Sequence, residues 1–153
     1  MGFIEGLCIS KKKGRVKKEV DSVNVLTEWG IEGDAHAGCW HRQISLLQGE
    51  SIDKMKKVIP RLAKGAFAEN IITRGIDLSQ LNVGDRLVLG VDVLAEITQI
   101  GKDCHTSCII RDLIGDCIMP KEGLFARIIK GGPLNLGNVI QKIDHQREIL
   151  DVL

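Results

Sequence analysis

Four cysteines, three histidines and several cations fall in glycine-punctuated segments that are suited to chemistry. Cys117 is the foremost. It lies in Gly115-Asp116-Cys117-Ile118-Met119-Pro120, where glycine and proline end regular structure and predict a loop. A thiolate, rather than a thiol, is the nucleophile and the metal ligand. Lys102, Lys121 and Arg127 are available to hold Cys117 ionised, and Asp116 opposes them. Such a thiolate can take sulfur from another protein's persulfide or bind a soft transition metal.

Three other segments carry polar groups. In Gly101-Lys102-Asp103-Cys104-His105-Thr106-Ser107-Cys108, the two thiols with His105 and Cys117 form a possible Cys3His zinc or cluster set. Its C-x3-C spacing is looser than a zinc knuckle, and inert burial is the ordinary fate of single cysteines. In Gly30–Arg42, His36, His41 and Arg42 offer hydrogen bonds to an anion, while His36, Cys39 and His41 are poorly spaced as metal ligands. In Gly65-Ala66-Phe67-Ala68-Glu69-Asn70, the amide of Asn70 suits the edge of a heterocycle. The competing reading is a turn whose side chains satisfy local backbone groups. Lys130–Gly137 reads as a turn without a phosphate role.

The elements that must position these groups are short. Seventeen glycines and three prolines punctuate apolar runs, which predicts many strands and tight turns. Strands are expected at 2–10, 16–26, 43–47, 69–73, 85–89, 93–100, 123–129 and 138–143. Gly90-Val91-Asp92 should join a hairpin. A helix is predicted over Ser51–Ile59, capped by Ser51 and stopped by Pro60. Leu78–Leu81 reads as a turn or short helix, and His145–Leu153 as a terminal helix. No βαβ alternation is visible, so the fold class expected is mainly β with a few helices (α+β), a compact barrel.

Whole-chain properties exclude several classes. The 153 residues suit one domain over 1–153, with a core at 1–143 and a tail at 144–153. A net charge of +1 gives no general drive towards nucleic acid or membrane. The basic run Lys11–Lys18 reads as a solvated turn, with no aromatic partners for nucleic acid nearby. No apolar run reaches the length of a membrane span. Five cysteines without a signal peptide argue for a reducing, cytoplasmic setting rather than a disulfide framework. Cys8, in a strand-like run, reads as a packing residue.

Taken together, the segments resemble the MOSC domain family, the domain found at the C-terminus of molybdenum-cofactor sulfurases. The matching stretches are Gly30–Gly38 (GIEGDAHAG), Gly65–Gly90, Gly101–Cys104 (GKDC) and Cys117–Gly137 (CIMPKEGLFARIIKGGPLNLG). The resemblance implies a β-barrel-rich fold and the handling of molybdenum cofactor or sulfur. It also implies that Cys117 is the family's cysteine, with Cys104 as the most credible second thiol. Asn138 stands where the family usually has aspartate, and should serve the same turn.

On this resemblance the chain is expected to bind molybdenum cofactor or carry sulfur. Cys117 would be the ligand or carrier, Lys102, Arg42 and Arg127 would pair with phosphate, and Asn70 and His36 would line the pterin pocket. Expected partners are the proteins of cofactor biosynthesis and a cysteine desulfurase as sulfur donor. Pyridoxal phosphate is not expected, because it belongs to the separate desulfurase domain of longer proteins. The alternatives are a molybdenum-dependent reductase of N-hydroxylated compounds and a structural zinc protein.

Overall fold

The computed structural model describes residues 1–101 and 122–143. Eleven strands follow one another among the described residues. They are β1 (Gly2–Ile9), β2 (Lys18–Val20), β3 (Ser22–Leu26), β4 (Gly30–Ile31), β5 (Ile44–Gln48), β6 (Ile71–Arg74), β7 (Arg86–Leu89), β8 (Val93–Ile100), β9 (Leu124–Lys130), β10 (Gly132–Asn135) and β11 (Val139–Ile143). One α-helix, α1 (Gly49–Lys56), lies between β5 and β6. None of the described helices is long and apolar enough to cross a membrane.

Seven strands close a barrel in the order β1-β11-β7-β8-β9-β5-β6 and back to β1, with β2 hanging from β1. Walking once round a closed ring must return the first strand in its own direction, so the number of antiparallel joints has to be even. Here six joints are antiparallel and the seventh, β5–β6, is parallel. A parallel joint needs a crossover rather than a hairpin, and α1 begins that crossover. β5-α1-β6 is therefore one βαβ unit, set among strands that otherwise follow one another without the βαβ alternation whose absence the sequence suggests.

The helix also starts earlier than expected. It begins at Gly49, and Ser51 is buried inside it rather than capping it; Gln48 holds the N-cap position without a side-chain bond. A Cβ at Gly49 would meet the Glu5 carboxylate and come within 3.0 Å of the Thr73 carbonyl, so glycine lets the chain turn into the helix without moving that carboxylate. Leu78–Gln80 is the expected short helix, a 3-10 turn capped by Asp77.

Inward residues alternate where a strand has one wet face. Leu87 and Leu89 on β7, and Val93, Ala95 and Ile97 on β8, fill the barrel with Ile4, Leu46, Ile128 and Ile140. β5 and β6, joined in parallel, are buried on both faces. Their outer residues Leu47 and Ile72 form a second cluster with Cys8, Ile52, Phe67 and Phe125.

The segment Gly132–Asn135, read from sequence as a turn, is a strand. β10 pairs with β3 from Gly132 opposite Val25 to Asn135 opposite Ser22, beside β4. As an edge strand it tolerates Pro133, which has no N–H to donate. Asn138 serves its turn as expected, accepting from the Asn135 N–H at 2.8 Å. The expected helix at 145–153 lies outside the described residues.

Candidate functional site

The connection from β4 to β5, residues 32–43, carries most of the polar groups picked out above. It is fastened at several points along its length. Asp34 accepts the Ser10 N–H at the end of β1 at 3.0 Å. His41 Nε2 meets Gln99 Oε1 at 2.8 Å near the end of β8, and Gln99 Nε2 in turn donates to the Gly101 carbonyl at 2.8 Å. That second bond fixes the Gln99 amide, so His41 donates from Nε2. Thr98 also donates to the His41 carbonyl. The Gly101 N–H donates to the Gly123 carbonyl at 2.6 Å.

Under the connection lies a buried ion pair. Lys17 Nζ is 2.7 Å from Asp34 Oδ1, and neither side chain is exposed to solvent. Nζ also lies 2.9 Å from His36 Nδ1. Burial alone would raise the Asp34 pKa. The hydrogen bond from Lys17, the N–H groups of Ser10 and His36 and the lysine's charge outweigh it and hold the carboxyl below its ordinary value.

Lys17 belongs to the basic run that was expected to be solvated. Its neighbours 11–16 and 18 are exposed, but it is not. The Gly65 turn is what draws it in. The Lys17 N–H donates to the Gly65 carbonyl at 2.9 Å, and a Cβ on Gly65, which has φ +90°, would lie 2.0 Å from the Lys17 oxygen. Gly65→Ala is therefore expected to destabilise the fold by about 3 kcal/mol, combining left-handed strain with this clash. Gly14→Ala is the control, since φ is +73° there but nothing lies within 4 Å. Urea denaturation of both variants measures the difference, and equal losses would refute the clash.

Arg42 lies between two aromatic rings. Its guanidinium carbon is 4.6 Å from the Trp40 ring centroid and 5.6 Å from that of Phe125. Its Nε is buried without a hydrogen-bond partner. Trp40 is fixed in turn, donating from Nε1 to the His36 carbonyl at 2.7 Å and stacking on the His36 ring at 5°. Lys13 Nζ sits 5.1 Å from the Trp40 centroid.

The remaining expected residues are placed differently. Arg127 donates to Glu28 at 2.8 Å and to Glu96 at 3.3 Å, so two carboxylates balance its charge. Asn70 is fully buried. Its Oδ1 accepts from the Ser45 N–H at 3.0 Å and its Nδ2 donates to the Cys8 carbonyl at 3.1 Å, tying β1 to β5. These partners are far along the chain, not the local backbone groups of a turn. Glu69 is buried too, and its pKa is raised, chiefly by burial. Cys8 packs as expected, its thiol pushed up to about 12 by burial and then by Glu69. Lys102, Cys104, His105, Cys108 and Cys117 lie outside the described residues. Sequence reading missed Lys17, Asp34 and Trp40; the only available signal was Asp34 two residues before His36, a spacing suited to accepting that residue's N–H.

The fit to an anionic cofactor is tested by Arg42. Its half-buried charge meets two rings and no carboxylate among the described residues, and the buried Nε–H has no hydrogen-bond partner, which leaves it able to take an anion. The residues present fit a phosphate-bearing group at this point.

The family model described as the MOSC domain matches residues 33–141. No curated protein matches the chain. Among solved structures, the YuaD protein from Bacillus subtilis aligns over 91% of this chain and 93% of its own, with TM-score 0.75 and 20% identity. YiiM from Geobacillus stearothermophilus aligns over 94% and 76%, with TM-score 0.69 and 19% identity. YiiM from Escherichia coli aligns over 95% and 71%, with TM-score 0.67 and 19% identity. At these identities the likeness is one of fold.

Proposed function

The chain belongs to the MOSC domain family, and on that premise we propose that it binds molybdenum cofactor, or passes sulfur to it, through Cys117. The family is linked to molybdenum-cofactor binding and sulfurase-related function. When bound, the cofactor supplies a molybdenum centre that accepts a thiolate ligand or a sulfur atom.

The observation that carries this reading is Arg42. Its guanidinium is held by Trp40 and Phe125 and has no acid beside it among the described residues. A planar cation fixed in this way is organised to bind a phosphate through two N–H groups. His36 and Lys102 complete the anion contacts, and Lys13 adds positive charge at the rim.

Cys117 lies outside the described residues, in the stretch of chain between Gly101 and Gly123. In sulfur transfer its Sγ attacks the outer sulfur of a donor persulfide, such as that of a cysteine desulfurase. The new Sγ–S bond forms, the donor's S–S bond breaks, and the donor leaves as its thiolate.

Arg42→Gln tests the site. Affinity for cofactor released from a molybdoenzyme is expected to fall by about 10–100-fold, the effect of a hydrogen bond to a charged group. Titration of both proteins measures it. Equal affinities would remove Arg42 from the site, and no binding by the wild type would end the cofactor reading.

A further inference from the structure

We propose that Lys17 is a positioning residue that fixes His36 in its Nε2–H tautomer, making it a hydrogen-bond donor rather than a base at the anion site. The role of that donor rests on the reading of the site given above; the tautomer does not.

The argument starts from the inventory of donors. An ammonium has three N–H groups and no lone pair. At 2.9 Å from Lys17 Nζ, His36 Nδ1 can only accept. In the neutral imidazole the proton is then on Nε2. The other tautomer, and the imidazolium, would both place N–H against N–H.

Lys17 cannot swing away to relieve such a clash. Its ammonium is bound to Asp34 at 2.7 Å with no exposure to solvent, and its backbone is seated on Gly65. The backbone of His36 is held as well. Asp34 Oδ2 accepts the His36 N–H at 3.1 Å, Trp40 Nε1 holds the His36 carbonyl at 2.7 Å, and the ring stacks on Trp40. One carboxylate thus orients both the cation and the backbone of the residue that the cation orients.

The segment Gly65–Asn70 thereby acts on the site from a distance. It seats Lys17, and Lys17 sets the edge of His36. A neutral Nε2–H suits an oxyanion, whereas a lone pair there would repel one.

Long-range proton–nitrogen correlation on nitrogen-15-labelled protein at neutral pH tests the proposal. Wild-type His36 is expected to show an unprotonated Nδ1 and a protonated Nε2. A protonated Nδ1, or an even mixture, would overturn the assignment without any variant. In Lys17→Met the His36 preference is expected to disappear, while His41, held by Gln99, keeps its own as an internal sign of folding. A His36 preference that survives in the folded variant would overturn the role of Lys17. If the variant does not fold, the wild-type spectrum still decides the tautomer. Adding inorganic phosphate should shift the Arg42 Nε–H signal. No shift would count against the anion site and leave the tautomer standing.

Discussion

A Cys117→Ser variant, purified beside the wild type from one cofactor-replete source, is expected to carry no persulfide and to lose at least about nine-tenths of its molybdenum. Serine keeps the size of the side chain and removes both reactions. Its hydroxyl does not ionise near neutral pH and is a hard ligand, unlike the soft thiolate. Losing only an outer-shell partner already costs a metal site about 10–100-fold in affinity, so losing the ligand itself should cost no less. The phosphate contacts at Arg42 remain, which separates the two halves of the site. Cofactor would still bind weakly in Cys117→Ser and not be held by its metal. Intact-mass spectrometry reads the added sulfur and elemental analysis the molybdenum. Equal loading of both in the two proteins would take Cys117 out of the mechanism.

Asp34→Asn is expected to cost about 3–5 kcal/mol of stability, the cost of breaking a buried ion pair from one side. The variant leaves the Lys17 ammonium with no solvent exposure and no counter-charge. It also sets an amide N–H where the backbone N–H of His36 needs an acceptor, or that of Ser10 if the amide turns over. Because the folded-state pKa of Asp34 lies below its ordinary value, its contribution is fully present above that value and is lost as pH falls through the folded one. The gap between wild type and variant should therefore be constant near neutrality and narrow below about pH 4. Adding Lys17→Met should recover part of the loss, since the orphaned charge is then gone. Urea melts across pH measure both. A double variant no more stable than Asp34→Asn would show that the pair's charge is not the source of the loss.

The hairpin of β7 and β8 was legible because its signals are local. Gly90-Val91-Asp92 gives the turn and alternating residues give the inner face. What could not be read depends on partners far along the chain. Lys17 resembles its solvated neighbours in every property except the Gly65 turn, 48 residues on, that seats its backbone. Asn70 offers the same amide whether it meets a ligand or Ser45 and Cys8. Pro133 and two glycines hid β10, because strand signals are weighted for central strands and this one lies at an edge. Arg42 was identified from its charge, but the rings that hold it come from adjacent chain in Trp40 and from a distant strand in Phe125. The ordered motifs placed the chain in its family when single residues did not.

The ring of strands closes between its sequence extremes. Gly2 and Phe3 on β1 pair with Ile140 and Val139 on β11, and Ile4 exchanges backbone bonds with Gly137 and Asn138. On a translating ribosome, β1 is therefore made first and its partner last. For the time needed to add the intervening residues, on the order of ten seconds at ordinary elongation rates, the ring stays open and β1 is bare along Gly2–Ile4, since β2 covers only Leu7–Ile9 of that edge. An exposed edge invites pairing with another chain. The nascent protein is thus most exposed to aggregation in the interval just before its final described strand emerges.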